Sequence, residues 1–190
     1  DENNWHAEAL TKLQNKWPNK GMIHTESSID IDADAPIGQY WRTSTDYAGT
    51  FIPFDTYAYD IITDLNHGTQ GYIEWCSILS HQGQPNPYNN FNSAPVLINP
   101  ITDEVIYTPL YYLLSHFSKF IRPNARRIGL IGDEVKGLIY TAAKNTDGSI
   151  AIVVFNKNEK AHEVSIKLET KTFTTLIASR AMQTLHLQNR

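Results

Sequence analysis

The chain has 190 residues, 41% of them hydrophobic, and a formal net charge of −4. That apolar content supports a packed core rather than global disorder, and the charge offers no basic footprint for nucleic acid. The single cysteine, Cys76, rules out an internal disulfide and a cysteine zinc site, and no apolar run approaches the roughly 18 residues of a membrane-spanning helix.

The opening DENNWHAEAL carries neither a methionine start nor a signal peptide. It reads as the interior of a longer protein, so the chain is expected to be a fragment. In WHAEALTKLQNKW, residues 5–17, Trp5, Ala9, Leu10, Leu13 and Trp17 repeat with helical spacing until PNKG breaks the pattern. MIHT is then a short strand, which leaves Glu26 at a strand end. Asp30, Asp32 and Asp34 alternate in the loop that follows. The glycine and distal glutamate of a calcium loop are out of place there, so a solvated acidic loop is expected and no metal.

FDTYAYDIITDLNHG, residues 54–68, predicts a helix capped by Asp55, striped by Tyr57, Ile61 and Leu65, and stopped by Gly68. GYIEWCSIL predicts one mostly buried strand, and SHQGQPNPYNNFNSAP a long functional loop. TPLYYLLSHFSKFI, residues 108–121, predicts a helix with Pro109 in its first turn. Helices alternating with strands argue a parallel sheet with helices outside, here the last two βα units of a (β/α)8 barrel. Past Pro123 come six short strand-like runs: RRIGLIG, GLIYTAAK, SIAIVVFN, HEVSIKL, FTTLIAS and MQTLHLQ. The turns NTDG and NKNEK separate some of them, and strands at this spacing argue an antiparallel β-sandwich. The fold class is thus α/β plus all-β, with barrel residues 1–120 and sandwich residues 121–190.

In a barrel, chemistry sits at the C-terminal strand ends. Glu26 ends the first strand and Trp75 lies near the end of the next. A carboxylate beside an aromatic ring suits glycoside hydrolysis, while a loop cap and a barrel-filling ring are the bland alternatives. His24, two residues before Glu26, shares its side if the strand is regular. Glu74 should point away from an inward Trp75. The seven histidines form no HxxxH or HExxH pair, so no zinc site is expected. Cys76 lacks a histidine partner and reads as a buried thiol, and His116 reads as a packing residue.

PLYYLLSHFSKFIRPNARRIGL, GYIEWCSIL with GQPNPYNNFNSAPVLIN, HTESS and DGSIAIVVFNKN resemble, in order, segments of glycoside hydrolase family 30, the clan-A family that includes glucosylceramidases. The resemblance implies a retaining β-glycosidase with Glu26 as nucleophile and Trp75 in the sugar subsite. It places Phe91 and Asn92 on the pocket rim. The loop after Glu26 differs from the family's, so Trp41 and Tyr40 are expected as local substrate contacts, while His24 either hydrogen-bonds the nucleophile or substrate or is structural. Relatives carry an acidic residue, tryptophan and asparagine where this chain has Glu74, Trp75 and Cys76. The family's acid/base falls before the chain's start, so Glu26 alone is catalytically incomplete, and the partner it needs is the missing N-terminal part of the barrel. The implied substrates are β-glucosides, glucosylceramide and similar glycolipids among them. No cofactor is implied, and the family is compatible with secretion or export. Two other readings are a non-catalytic carbohydrate-binding protein and a structural fragment prone to self-association through open strand edges.

Overall fold

A computed structural model describes residues 5–28, 30–31, 51–81, 83–85, 91–92, 94–132 and 135–188. The chain forms two compact units, residues 1–114 and 115–190. No helix among the described residues is long and apolar enough to cross a membrane.

In the first unit, helix α1 (Trp5–Lys16) leads through the Pro18 turn into strand β1 (Met22–Ser27), then the two-residue strand β2 (Asp30–Ile31). Helix α2 (Phe51–Asn66) connects to β3 (Thr69–Glu74), and β1 and β3 pair in parallel. This is a βαβ unit: parallel neighbours need a long crossover, and the helix supplies it. Tyr57, Ala58, Ile61 and Ile62 form the buried stripe of α2. Gly68, at φ +99, ends the helix in a conformation that favours glycine.

The helix starts three residues earlier than FDTYAYD suggests. Pro53 lies within its first turn, where a missing N–H costs nothing, so Asp55 is an interior residue rather than a cap. GYIEWCSIL is also not one strand. The ladder with β1 ends at Ser27↔Glu74, and residues 78–80 form a separate strand, β4 (Ile78–Ser80), with a different partner.

Within the predicted long loop, β5 (Phe91–Asn92) pairs antiparallel with β2. Next come β6 (Val96–Asn99) and β7 (Glu104–Tyr107), an antiparallel hairpin whose β6 also pairs in parallel with β4. This three-stranded sheet went unread in the sequence. Its turn is signalled by Asn99-Pro100: the Asn99 side-chain oxygen accepts from the N–H of Ile101 at 3.0 Å, and Asp103 takes φ 57. Helix α3 (Pro109–Ser118) follows and ends three residues before the predicted stop, with a final turn closed by the Ile121 N–H on the Phe117 carbonyl.

The second unit holds six strands: β8 (Arg126–Arg127), β9 (Leu138–Lys144), β10 (Ile150–Asn156), β11 (His162–Leu168), β12 (Lys171–Ile177) and β13 (Ala181–Leu187). They make an antiparallel sheet in the order β13-β10-β9-β8 and a second sheet of β11 and β12. RRIGLIG shrinks to two paired residues, yet Ile128 and Leu130 beyond them still pack on the core. Ala142, Ile152 and Val154 of one sheet and Ile177 of the other form that core, with Val164 and Ile166 against them.

Strand β10 is buried on both faces, which explains its nearly unbroken apolar run. The face opposite the core carries Ala151 and Val153, paired with His186 and Thr184 of β13. His116 Nδ1 meets Thr184 Oγ1 at 2.9 Å and Phe120 packs on His186, so the end of α3 covers this face. His116 is therefore a packing and hydrogen-bonding residue, and burial lowers its pKa.

Asn156 is fully buried. Its amide donates to the carbonyls of Lys160 (2.9 Å), Ala178 (3.0 Å) and Ile177 (3.3 Å), and its oxygen accepts from the backbone and side-chain N–H groups of Asn158. The side chain thereby ties the NKNEK turn to the end of β12.

Candidate active site

Glu26 lies near the C-terminal end of β1 and is exposed. Its setting follows from an irregular register. His24 pairs with Tyr72 and Ser27 with Glu74, so β1 takes three steps where β3 takes two. In a regular strand His24 and Glu26 would share a face. The extra residue removes that condition, and His24 and Glu26 both border one cleft beside α2. Ser27 is the buried member of the triplet Thr25, Glu26 and Ser27, and the Tyr72 hydroxyl donates to its Oγ.

His24 instead turns to α2. Its Nδ1 lies 2.7 Å from Oδ2 of Asp64, a residue only 5% exposed, and its ring packs on Tyr72 with centroids 4.6 Å apart. Glu74 faces the same helix, as strand alternation predicts: its Oε1 accepts from the Tyr57 hydroxyl at 2.7 Å. Burial pushes the Glu74 carboxyl up to about 7, against the opposing pull of the Tyr57 hydrogen bond and the His24 charge. Burial also raises the Tyr72 hydroxyl, and the nearby acids add to the effect. The α2 side of the strand pair is thus a polar, half-buried cluster, whereas Ile23 (58% exposed) and Ile73 (51%) present apolar side chains to solvent.

Trp75, half-buried, follows directly on β3. Its N–H donates to the Ser27 carbonyl at 2.8 Å, which places it one step beyond the residue after Glu26. The β2–β5 bridge brings in the distal loop: Asn92 stands opposite Asp30, and Phe91 opposite Ile31. Asn92 is buried and accepts from the Ser28 hydroxyl at 3.3 Å. Residues 64 positions apart in the chain, Ser28 and Asn92, thus meet just past Glu26. Glu26 also borders a cleft of about 630 Å³ lined from α1, β1 and α2, with Leu10, His24, Asp60 and Asp64 among its walls.

Trp41, Tyr40, Asp32 and Asp34 lie outside the described residues, as does Glu2. Glu8 sits on exposed α1, 3.8 Å from Lys12. Cys76 is half-buried rather than buried, and burial followed by the Glu74 charge raises its thiol pKa, which disfavours a thiolate nucleophile. No cluster of three or more His, Cys, Asp or Glu among the described residues could hold a metal ion. Sequence reading missed Asp64, Tyr57 and Tyr72. Only the repeat of aromatic and acidic residues along α2 hinted at Tyr57 and Asp64, and nothing local pointed to Tyr72 on β3.

Parallel strands joined by an outer helix and followed by an antiparallel sandwich are the element order of a barrel-plus-sandwich protein. Residues 2–121 match the model of the glycosyl hydrolase family 30 TIM-barrel domain, and residues 124–185 match that of the family 30 beta sandwich domain. The chain belongs to glycosyl hydrolase family 30. It is 34% identical over 151 residues to lysosomal acid glucosylceramidase of Mus musculus, a match covering 80% of this chain and 28% of that protein. The fold is that of SrfJ from Salmonella typhimurium (TM-score 0.85, 22% identity, 97% of this chain and 39% of that one). It is also that of the catalytic domain of the family 30 xylanase C from Talaromyces cellulolyticus (TM-score 0.69, 20% identity, 90% and 41%). The chain spans between 28% and 35% of the length of the curated relatives it matches first. The barrel segment and the sandwich expected from the sequence are both present.

Proposed function

We propose that the polypeptide carrying this chain is a retaining β-glycosidase acting on β-glucosides, glucosylceramide among them, with Glu26 as nucleophile. The observation that carries the reading is the register shift before Ser27, which leaves Glu26 exposed near a parallel strand end beside Trp75 and the Asn92 loop.

In the first step a Glu26 oxygen bonds the anomeric carbon as the bond to the leaving-group oxygen breaks, and a second carboxyl protonates that oxygen. In the second step the same group takes a proton from water, which displaces Glu26. The two carboxyls of such a pair stand about 5–5.5 Å apart. Glu8 is on the outer helix and Glu74 faces α2, so the acid/base belongs to the remainder of the barrel. Trp75 packs on the apolar face of the sugar, Phe91 and Asn92 rim the pocket, and Trp41 serves as a further substrate contact.

The deciding experiment is turnover of an aryl β-glucoside and of glucosylceramide by the full-length protein, with and without Glu26→Gln. Loss of turnover with the fold intact supports the nucleophile, and near-normal turnover removes it. Glycan binding without turnover by the unaltered protein would favour a carbohydrate-binding role instead.

A further inference from the structure

Glu74 takes no part in the double displacement, yet its carboxyl is buried directly behind the strand ends that carry Glu26 and Trp75. One oxygen, Oε1, accepts from Tyr57. The other, Oε2, is shut off from solvent and has no hydrogen-bond partner among the described residues. An anion left with an unpaired buried oxygen is far costlier than a neutral acid in the same place. The side chain of Glu74 ties the end of β3 to α2, while its backbone stands opposite Ser27, the residue after Glu26. Ser27 is held twice more, by the Tyr72 hydroxyl and by the Trp75 N–H.

We infer that Glu74 is a positioning residue: as a neutral acid donated to by Tyr57, it holds the Ser27–Trp75 level in the register that presents Glu26 and Trp75, and losing its proton loosens that level. The inference rests on the proposed glycosidase reading and deepens it. The titratable groups around Glu74 are His24 from β1, Tyr57, Asp60 and Asp64 from α2, Tyr72 from β3 and Cys76 just beyond. Asp60 and Asp64 act on the neighbouring Tyr72 hydroxyl, while a protonated His24 opposes the upward push of burial on Glu74. The Glu74 carboxyl, pushed up to about 7, changes charge near neutral pH.

Two readouts on the full-length protein test this. In the unaltered protein, KM for an aryl β-glucoside should rise as the pH passes about 7. Glu74→Gln, which keeps a neutral hydrogen-bonding group, should hold KM flat there and keep kcat/KM near that of the unaltered protein at acidic pH. Glu74→Ala should lose about tenfold or more in kcat/KM, the scale on which small misplacements act. Infrared difference spectra, recorded without substrate, should show a protonated-carboxyl band that disappears as the pH rises through about 7 and is missing from Glu74→Gln. The inference is overturned if Glu74→Gln keeps the alkaline rise in KM, or if the band is absent from the unaltered protein. If Glu74→Ala does not fold, Glu74→Gln still decides. If Glu26→Gln retains turnover, the nucleophile reading fails, while the infrared band still reports the state of Glu74.

Discussion

Ser27 stands opposite Glu74 in the β1–β3 ladder, yet three residues of β1 separate it from His24 where two of β3 separate Glu74 from Tyr72. The extra residue is a bulge, and bulges re-aim side chains next to functional sites. Here His24 and Ser27 are held by Asp64 and Tyr72, while Thr25 and Glu26 stay exposed.

His24 and Asp64 form a half-buried pair whose carboxylate has little solvent. His24→Ala should therefore lower stability by about 1–3 kcal/mol, the cost of leaving a buried acceptor unpaired. Thermal unfolding should register the loss, with a much smaller change in KM. A large KM effect at unchanged stability would make His24 a direct sugar contact.

Trp75 is held by its backbone to Ser27 and is half-buried. As the sugar platform, its replacement by alanine should weaken substrate binding by about tenfold, equivalent to 1.4 kcal/mol. The comparison is KM for an aryl β-glucoside in the full-length protein. An unchanged KM would make Trp75 a filling residue of the barrel.

Asn156→Ala would leave the carbonyls of Lys160, Ile177 and Ala178 without its amide. A loss of roughly 2–4 kcal/mol is expected for several buried groups together. Gly137→Ala attacks the same turn from the other side. It forces an alanine to φ +78 and brings its Cβ within 2.5 Å of the Asn158 side-chain oxygen. Denaturant midpoints of both variants should fall, and an unchanged midpoint for either would show that the turn adjusts.

Two groups give stability opposite pH slopes. Glu74 binds its proton more tightly in the fold, from an ordinary 4.5 up to about 7. Over that interval the folded state holds the extra proton, so stability is full below 4.5 and falls as pH rises through about 7. His116 is shifted the other way by burial, below its ordinary 6.5. The unfolded chain binds that proton first, so stability falls as pH drops below 6.5. Melting temperatures across pH should show Glu74→Gln removing the first slope and His116→Gln the second. Persistence of either slope in its variant would assign it to another group.

Much of the secondary structure was legible. In the sandwich, alternating runs and polar turns placed six strands, because side-chain alternation and turn chemistry are local properties. The exceptions share one cause. GYIEWCSIL divides because Ser27 is the last residue of β1 able to pair, while residues 78–80 find β6 elsewhere. RRIGLIG pairs for two residues, with one more bond from the Ile128 N–H to the Ala142 carbonyl, and beyond them Ile128 and Leu130 pack on the core.

The candidate site divides the same way. Glu26 at a strand end and Trp75 after the next strand follow from the order of residues, and Glu74 facing away from the site follows from alternation. The amino-acid sequence by itself determined which residues could do chemistry and the succession of helices and strands that carries them, since these depend on residue type and short-range periodicity. Only the tertiary structure decided that His24 joins Asp64, that Glu74 meets Tyr57 in a buried place, and that Asn92 reaches Ser28 from 64 residues away. Those relations depend on a one-residue shift in strand register and on helix-to-strand packing, which arise from long-range contacts that no local pattern encodes.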